Sequence, residues 1–260
     1  MEPAVHSEVV VRATDSRGDS VLAAAARELG LRATDQPEAP ALLLVHDAEG
    51  FGLRPLRPAR AGTVRVEFGG ARSRGRLSGS LRSQPLARAV GIGAAPPHVL
   101  DATGGLGRDA WLLATLGCRV TLVERHRILA FLLRAALARA AASPATAACA
   151  ARIELLEGDA REALRGCMDA GRPDVVYLDP MFGGSRRTAL ARLDLQVVQQ
   201  LLGEEPDDPK LLQAARAAAR RRVVVKRLRT APPLAPGRSH AVAGQAIRFD
   251  VYRPDGAAGG

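Results

Sequence analysis

Residues 98–124 read HVLDATGGLGRDAWLLATLGCRVTLVE, and the order of their parts decides the fold. HVLDAT is an apolar strand that ends on an acid, Asp101. Gly104, Gly105 and Gly107 make a tight turn, RDAWLLATL (108–116) is a helix closed by Gly117, and CRVTLVE is a second strand ending on Glu124. Strand, glycine turn, helix, strand is a βαβ unit, and right-handed crossovers of such units build a parallel sheet. Downstream the alternation continues with a helix over 126–142, strand RIELLEGD (152–159), short helix ALRGCM (163–168) and strand DVVYLDP (174–180). Helices over 188–202 and 211–221 and strand RRVVVKRL (221–228) follow. Beyond the turn-rich stretch 231–246, IRFDVYR (247–253) is a last strand with no long helix before it, so an antiparallel edge is expected. The expected class is α/β, a Rossmann-like and mostly parallel sheet flanked by helices.

Upstream the pattern differs. EVVVR (8–12) reads as a strand, and Asp19 or Ser20 caps a helix that runs through Leu29 and ends at Gly30. Residues 41–57 read as two strands around the turn Asp47-Ala-Glu-Gly50, a hairpin. Residues 1–62 thus form a small α+β unit, of a size at which independent stability is marginal, so it is expected to pack on residues 63–260. The entry to that larger domain, 63–97, is rich in arginine. Between residues 54 and 88 nine arginines stand against the single acid Glu67, which places +8 of the net +10 in this stretch. Gly69, Gly70, Gly75 and Gly79 read as loop. A solvated linker and an anion-binding surface fit it about equally.

The 260 residues hold 37 basic and 27 acidic side chains, and only Lys210 and Lys226 are lysines, so 35 of the basic residues are arginine. Such a balance attracts polyanions. A hydrophobic share of 47% with 25% charged residues excludes a disordered tail protein. No apolar run approaches a membrane span, and the amino terminus, with Glu2 and Glu8, has no apolar leader, so a cytoplasmic protein is expected. Cys118, Cys149 and Cys167 show no metal-binding spacing, the five histidines are scattered, and no metal is expected.

The strand ends carry the chemistry. The dinucleotide spacing G-x-G-x-x-G is absent, and Asp101 just before the glycines would repel a pyrophosphate. An acid there favours a cation such as the amino group of a methionine moiety, so the loop suits S-adenosylmethionine better than a nicotinamide cofactor. Glu124 ends the next strand, where a carboxylate takes both ribose hydroxyls. Asp159, after the third strand, is placed to accept from an adenine amine. Any one of these acids is equally well a cap or a turn residue; three on successive strands outline a crevice. At the fourth strand end stands Asp179-Pro180-Met181-Phe182. It resembles the D/N-P-P-Y/F motif of amino-group methyltransferases, with Met181 in place of the second proline. A base amine is a poor nucleophile because its lone pair is delocalised. Asp179 and the Pro180 carbonyl can accept its two N–H bonds, while Phe182 stacks on an extruded base.

Taken together, VLDATGGLGRDAWLLATLGCRVTLVER, VVYLDPMF and RRVVVKR…APPLA…RFDVY resemble the bacterial ribosomal RNA small subunit methyltransferase J family, from about Val64 to Tyr252. The resemblance implies a class I S-adenosylmethionine-dependent methyltransferase that methylates N2 of guanine 1516 in 16S rRNA. It implies cofactor contacts at Arg108 and Asp109, at Glu124 and Arg125, and at Asp179. Where the family has a Ser-Ser cofactor pair this chain has Asp159 and Ala160. The family's proline and lysine-rich segment after DPMF is here Gly183-Gly184-Ser185-Arg186-Arg187, and its glycine-rich stretch is SGSLRS around Arg82.

Arg72, Arg74, Arg76, Arg82, Arg186 and Arg187 are the expected phosphate contacts. Arg221, Arg222, Lys226 and Arg227 flank one strand, some facing the crevice and others solvated. The expected partner is 16S rRNA or the small ribosomal subunit. Two other readings stand beside this one: a methyltransferase for an adenine or cytosine amine in DNA or another RNA, and a non-catalytic RNA-binding protein on a degenerate methyltransferase fold. The second leaves no reason to keep Asp101, Glu124, Asp159 and Asp179 together.

Overall fold

A computed structural model describes residues 8–37, 41–56, 62–69, 83–180, 189–203 and 208–256. Its larger sheet has seven strands: β5 (His98–Asp101), β6 (Arg119–Glu124), β7 (Ile153–Glu157), β8 (Val175–Leu178), β9 (Arg222–Leu228), β10 (Arg238–Ala243) and β11 (Ile247–Tyr252). They lie in the order β10-β11-β9-β8-β5-β6-β7. β5 to β9 are mutually parallel, while β11 runs antiparallel to both β9 and β10. The central strands β5 and β8 read as apolar runs because helices cover both their faces. Val99, Leu100 and all four residues of β8 are inaccessible to solvent. The α/β architecture with an antiparallel carboxy-terminal edge is therefore as the sequence led one to expect.

A second sheet comprises β1 (Glu8–Val11), β2 (Arg32–Ala33), β3 (Ala41–Asp47) and β4 (Gly50–Pro55), in the order β2-β1-β3-β4. Asp19 caps helix Ser20–Leu29 by accepting from the amides of Val21 and Leu22, and Gly30 ends it in the left-handed conformation at φ 63°. β3 and β4 form the expected hairpin. This sheet does not stand apart. Leu44 and Leu53 share one buried cluster with Val64 and Val66 and with Leu129 and Leu133 of helix Arg127–Ala141. Phe51 meets Phe131 edge-on at 4.8 Å. Burial against helix Arg127–Ala141 supplies apolar contact that a four-stranded sheet of this size has little of on its own.

Some elements depart from the sequence reading. β10 lies within the stretch read as turns; five of its six residues are exposed, so it carries no apolar alternation to read. Helix Ala160–Ala170 is longer than the six residues expected, because Asp159 caps it and Gly166 does not break it. Helix Pro85–Val90 falls in the arginine-rich stretch read as loop, although Pro85 at its start and Gly91 at φ 75° after its end are ordinary helix boundaries. Helices Ala13–Gly18 and Ala147–Ala150 and the two-residue β2 are too short to show a period.

Candidate active site

From β5 the chain proceeds to β6 and β7 on one side, then returns to β8 and β9 on the other. The reversal between β5 and β8 opens a crevice at the carboxyl ends of the strands, the place where open α/β sheets bind ligands. Asp101, Glu124, Asp159 and Asp179 all stand at this edge.

The glycine turn lies flat on the end of β6. The Gly104 amide donates to the Val123 carbonyl at 2.9 Å, and Gly107 donates to Gly104 at 2.8 Å. A Cβ on Gly104 would come within 2.9 Å of the Val123 oxygen and 3.0 Å of the Glu124 Cβ, so no side chain fits there. Gly105 and Gly107 hold φ of 53° and 67°, which glycine adopts without strain. Glu124 is buried and fastens the turn: Oε2 accepts from the Gly105 amide and Oε1 from the His126 amide, each at 2.7 Å. A carboxylate oxygen can accept more than one hydrogen bond, so a role in holding the turn is compatible with a role toward a ribose. Asp159 accepts through Oδ1 from the amides of Arg161 and Glu162, the capping role that sequence alone could not separate from a ligand contact. Ala160 is the first residue of that helix, and Arg125 is exposed just beyond Glu124.

Across the switch point a network joins four elements. Asp101, 2% exposed, accepts from the amide of Thr103 at 3.1 Å and from its hydroxyl at 3.3 Å. The Thr103 oxygen in turn accepts from the Asp179 amide at 2.7 Å. Asp109 Oδ2, in the first turn of helix Arg108–Thr115, accepts from the Tyr177 hydroxyl at 2.6 Å and from Lys226 Nζ at 2.7 Å. Lys226 Nζ donates as well to Asp179 Oδ2 at 2.7 Å. Burial, reinforced by the charges on Asp109 and Asp179, pushes the Asp101 carboxyl up to about 7. Burial and the same carboxylates hold the Tyr177 hydroxyl well above its ordinary range, which keeps it a donor. Burial works against the Lys226 ammonium, but the two carboxylates outweigh it and its pKa rises.

Arg108 turns its guanidinium to Asp194, a buried acid on helix Ala189–Leu202, and so ties that helix to the mouth of the crevice. Pro180 follows Asp179 at the crevice edge, partly buried. Phe182, Arg186, Arg187, Arg72, Arg74, Arg76 and Arg82 lie outside the described residues. Of the nine arginines between 54 and 88, Arg65 is buried and paired with Asp47, so it belongs to the hairpin rather than to an anion surface. The set around β9 divides. Lys226 faces the crevice, while Arg227 is 2% exposed and donates to the Pro232 carbonyl. Arg222, at the far end of the strand, donates to the Ala89 carbonyl. Thr103, Tyr177 and Asp194 went unnoticed in the sequence, because each is defined by a partner distant in the chain. Among the described residues no helix is long and apolar enough to cross a membrane, and no cluster of three or more His, Cys, Asp or Glu could hold a metal.

A flat glycine cradle that a Cβ would fill, a buried acid beside it and a two-oxygen acceptor at the next strand end fit S-adenosylmethionine, with its cationic methionine portion and its ribose. The comparisons with known proteins agree. A family model for SAM-dependent methyltransferases matches residues 24–254. The ribosomal RNA small subunit methyltransferase J of Thioalkalivibrio sulfidiphilus is 44% identical over 232 residues, covering 88% of this chain and 91% of its own. The protein of the same name from Chromobacterium violaceum is 48% identical over 206 residues, covering 77% and 80%. The crystal structure of a SAM-dependent methyltransferase from Neisseria gonorrhoeae matches with a TM-score of 0.74 at 33% identity, over 97% of this chain and 98% of that one.

Proposed function

The chain belongs to the ribosomal RNA small subunit methyltransferase J family, an S-adenosylmethionine-dependent family, and from that premise we propose that it methylates the exocyclic N2 amine of guanine 1516 in 16S rRNA. The observation that carries the reading is the meeting of Asp101, Glu124 and Asp179 around the Gly104–Gly107 turn at the switch point of the sheet. When bound, S-adenosylmethionine supplies an electrophilic methyl group on a sulfonium. Asp101 would face its cationic end, Glu124 would accept from the ribose hydroxyls, and Arg108, Asp109, Arg125, Asp159 and Ala160 would border the remainder. Asp179 and the Pro180 carbonyl accept the two N–H bonds of the guanine amine. That holds the base and turns the nitrogen lone pair out of conjugation toward the methyl group. Phe182 closes the base pocket by stacking. The decisive measurement is nucleoside mass spectrometry after incubation with 16S rRNA, small subunits and DNA. N2-methylguanosine in ribosomal RNA alone is expected. A methylated adenine or cytosine would move the target, and cofactor binding without any methylated product would mark a binding protein.

Glu124→Ala should weaken S-adenosylhomocysteine about ten- to a hundredfold, the scale of losing hydrogen bonds to a charged acceptor. The same change releases the Gly105 amide, so Glu124→Gln, which keeps one acceptor oxygen, should fall between the two. Calorimetry reads both, and an unchanged dissociation constant for the alanine variant would remove Glu124 from the cofactor site.

Arg72, Arg74, Arg76, Arg82, Arg186 and Arg187 are proposed to hold RNA phosphates. Charge reversal at Arg74, Arg76 and Arg186 should weaken RNA binding and flatten its salt dependence by roughly 0.7 log units per log salt for each lost single-strand contact. Affinity for S-adenosylhomocysteine should stay as it was. A salt slope equal to the parent's would mean that the RNA docks on another face.

A further inference from the structure

The sequence places Lys226 among four cations around one strand, some facing the crevice, and the structure gives Lys226 a particular post there. Leu178 on β8 pairs with Val225 on β9, which sets Lys226 level with Asp179 across the two strands. Its ammonium donates to Asp179 and to Asp109 at 2.7 Å each, thereby joining the end of β8 to the first turn of helix Arg108–Thr115. Composition sharpens the point: this chain uses arginine for 35 of its 37 basic residues, yet lysine stands here. The two cations differ physically. A guanidinium presents a planar fork suited to one carboxylate, as Arg248 does on Asp250 through Nε at 2.8 Å and Nη2 at 3.0 Å. A compact ammonium has three divergent donors and can stand between carboxylates from separate elements.

We propose that Lys226 is a positioning residue for methyl transfer: by donating to Asp109 and Asp179 together it fixes the direction of the Asp179 carboxylate and locks the amine-holding turn to the helix that opens the cofactor loop. The inference rests on the reading of Asp179 as acceptor for the substrate amine. Thr103 holds the backbone amide of Asp179 and Lys226 holds Oδ2, so the direction of the carboxylate is fixed from both ends of the residue. Without the ammonium, the charges of Asp109 and Asp179 would face each other and turn the carboxylate away. Misplacement of a substrate-holding group by about 1 Å costs on the order of a hundredfold in rate.

The test is a double-mutant cycle on the full chain with Lys226→Met, Asp179→Ala and both together. Single-turnover transfer of radiolabelled methyl to 16S rRNA gives the rate. Calorimetric stoichiometry with S-adenosylhomocysteine counts the folded, binding-competent enzyme. Lys226→Met should lose about a hundredfold in rate per competent site, with KM for RNA changed less than about threefold, and should cost little more once Asp179 is alanine. Lys226→Gln, still a hydrogen-bond donor, should recover part of the loss and serves if the methionine variant does not fold. A near-normal rate per competent site, or losses that multiply in the double variant, overturns the proposal. If Asp179→Ala itself turns over normally, the reading of the site fails first, and the cycle tells the two failures apart.

Discussion

Asp179→Ala is expected to lower methyl transfer by about a hundred- to a thousandfold while leaving a folded protein. The size follows from the role: a preorganised acceptor at the reacting group is typically worth about 3–4 kcal/mol of barrier. Folding survives for reasons visible around the residue. The backbone amide of Asp179 still donates to Thr103, and Lys226 keeps Asp109 as its counter-ion, so no buried charge is stranded. The substitution removes an acceptor at the crevice edge and no apolar core. Single-turnover assays with radiolabelled cofactor give the rate, and thermal melting beside the parent gives the fold. Turnover near that of the parent would sink the assignment of Asp179. Asp179→Asn should be milder, since an amide oxygen still accepts one hydrogen bond.

How much of this was legible beforehand depended on how far apart the partners lie in the chain. Asp101, the glycine turn and Glu124 fall within one βαβ unit, where strand periodicity alone puts both acids at the same sheet edge. The burial of β5 and β8 was equally plain, because a strand covered on both faces must be apolar throughout. Asp159 follows the third strand and caps the next helix, and capping a helix and meeting an adenine call for the same residue type at the same strand end. Lys226 shows the limit. It lies 47 residues from Asp179 and 117 from Asp109, and only the β8–β9 register brings the three together. The signal that could have found it was compositional: it is one of only two lysines in a chain whose other 35 basic residues are arginine. β10 gave no signal, because an exposed edge strand has no apolar face to alternate.

The Asp101 carboxyl should make fold stability and cofactor affinity respond to pH in opposite directions. Burial and the charges of Asp109 and Asp179 lift it from the ordinary 3.8 to about 7 in the folded protein. A carboxyl whose folded value lies above its unfolded one binds the proton more tightly when folded. Its contribution to stability is complete below about pH 4 and is lost as the pH rises through 7. At 1.36 kcal/mol per unit the upper bound on that loss is roughly 4 kcal/mol. The unliganded protein should therefore melt progressively lower between about pH 4 and pH 7 and level off above that, and Asp101→Asn, which carries no proton to lose, should flatten the trend. A cofactor whose cationic end faces Asp101 selects the ionised form, so its binding below pH 7 must release a proton. Affinity for S-adenosylhomocysteine should then climb over the same interval, with proton release visible when calorimetry is repeated in buffers of different ionisation enthalpy. Weaker binding at higher pH, or a buffer-independent heat at pH 6, would mean that Asp101 does not face the cation and acts only to hold Thr103, and through it the Asp179 amide.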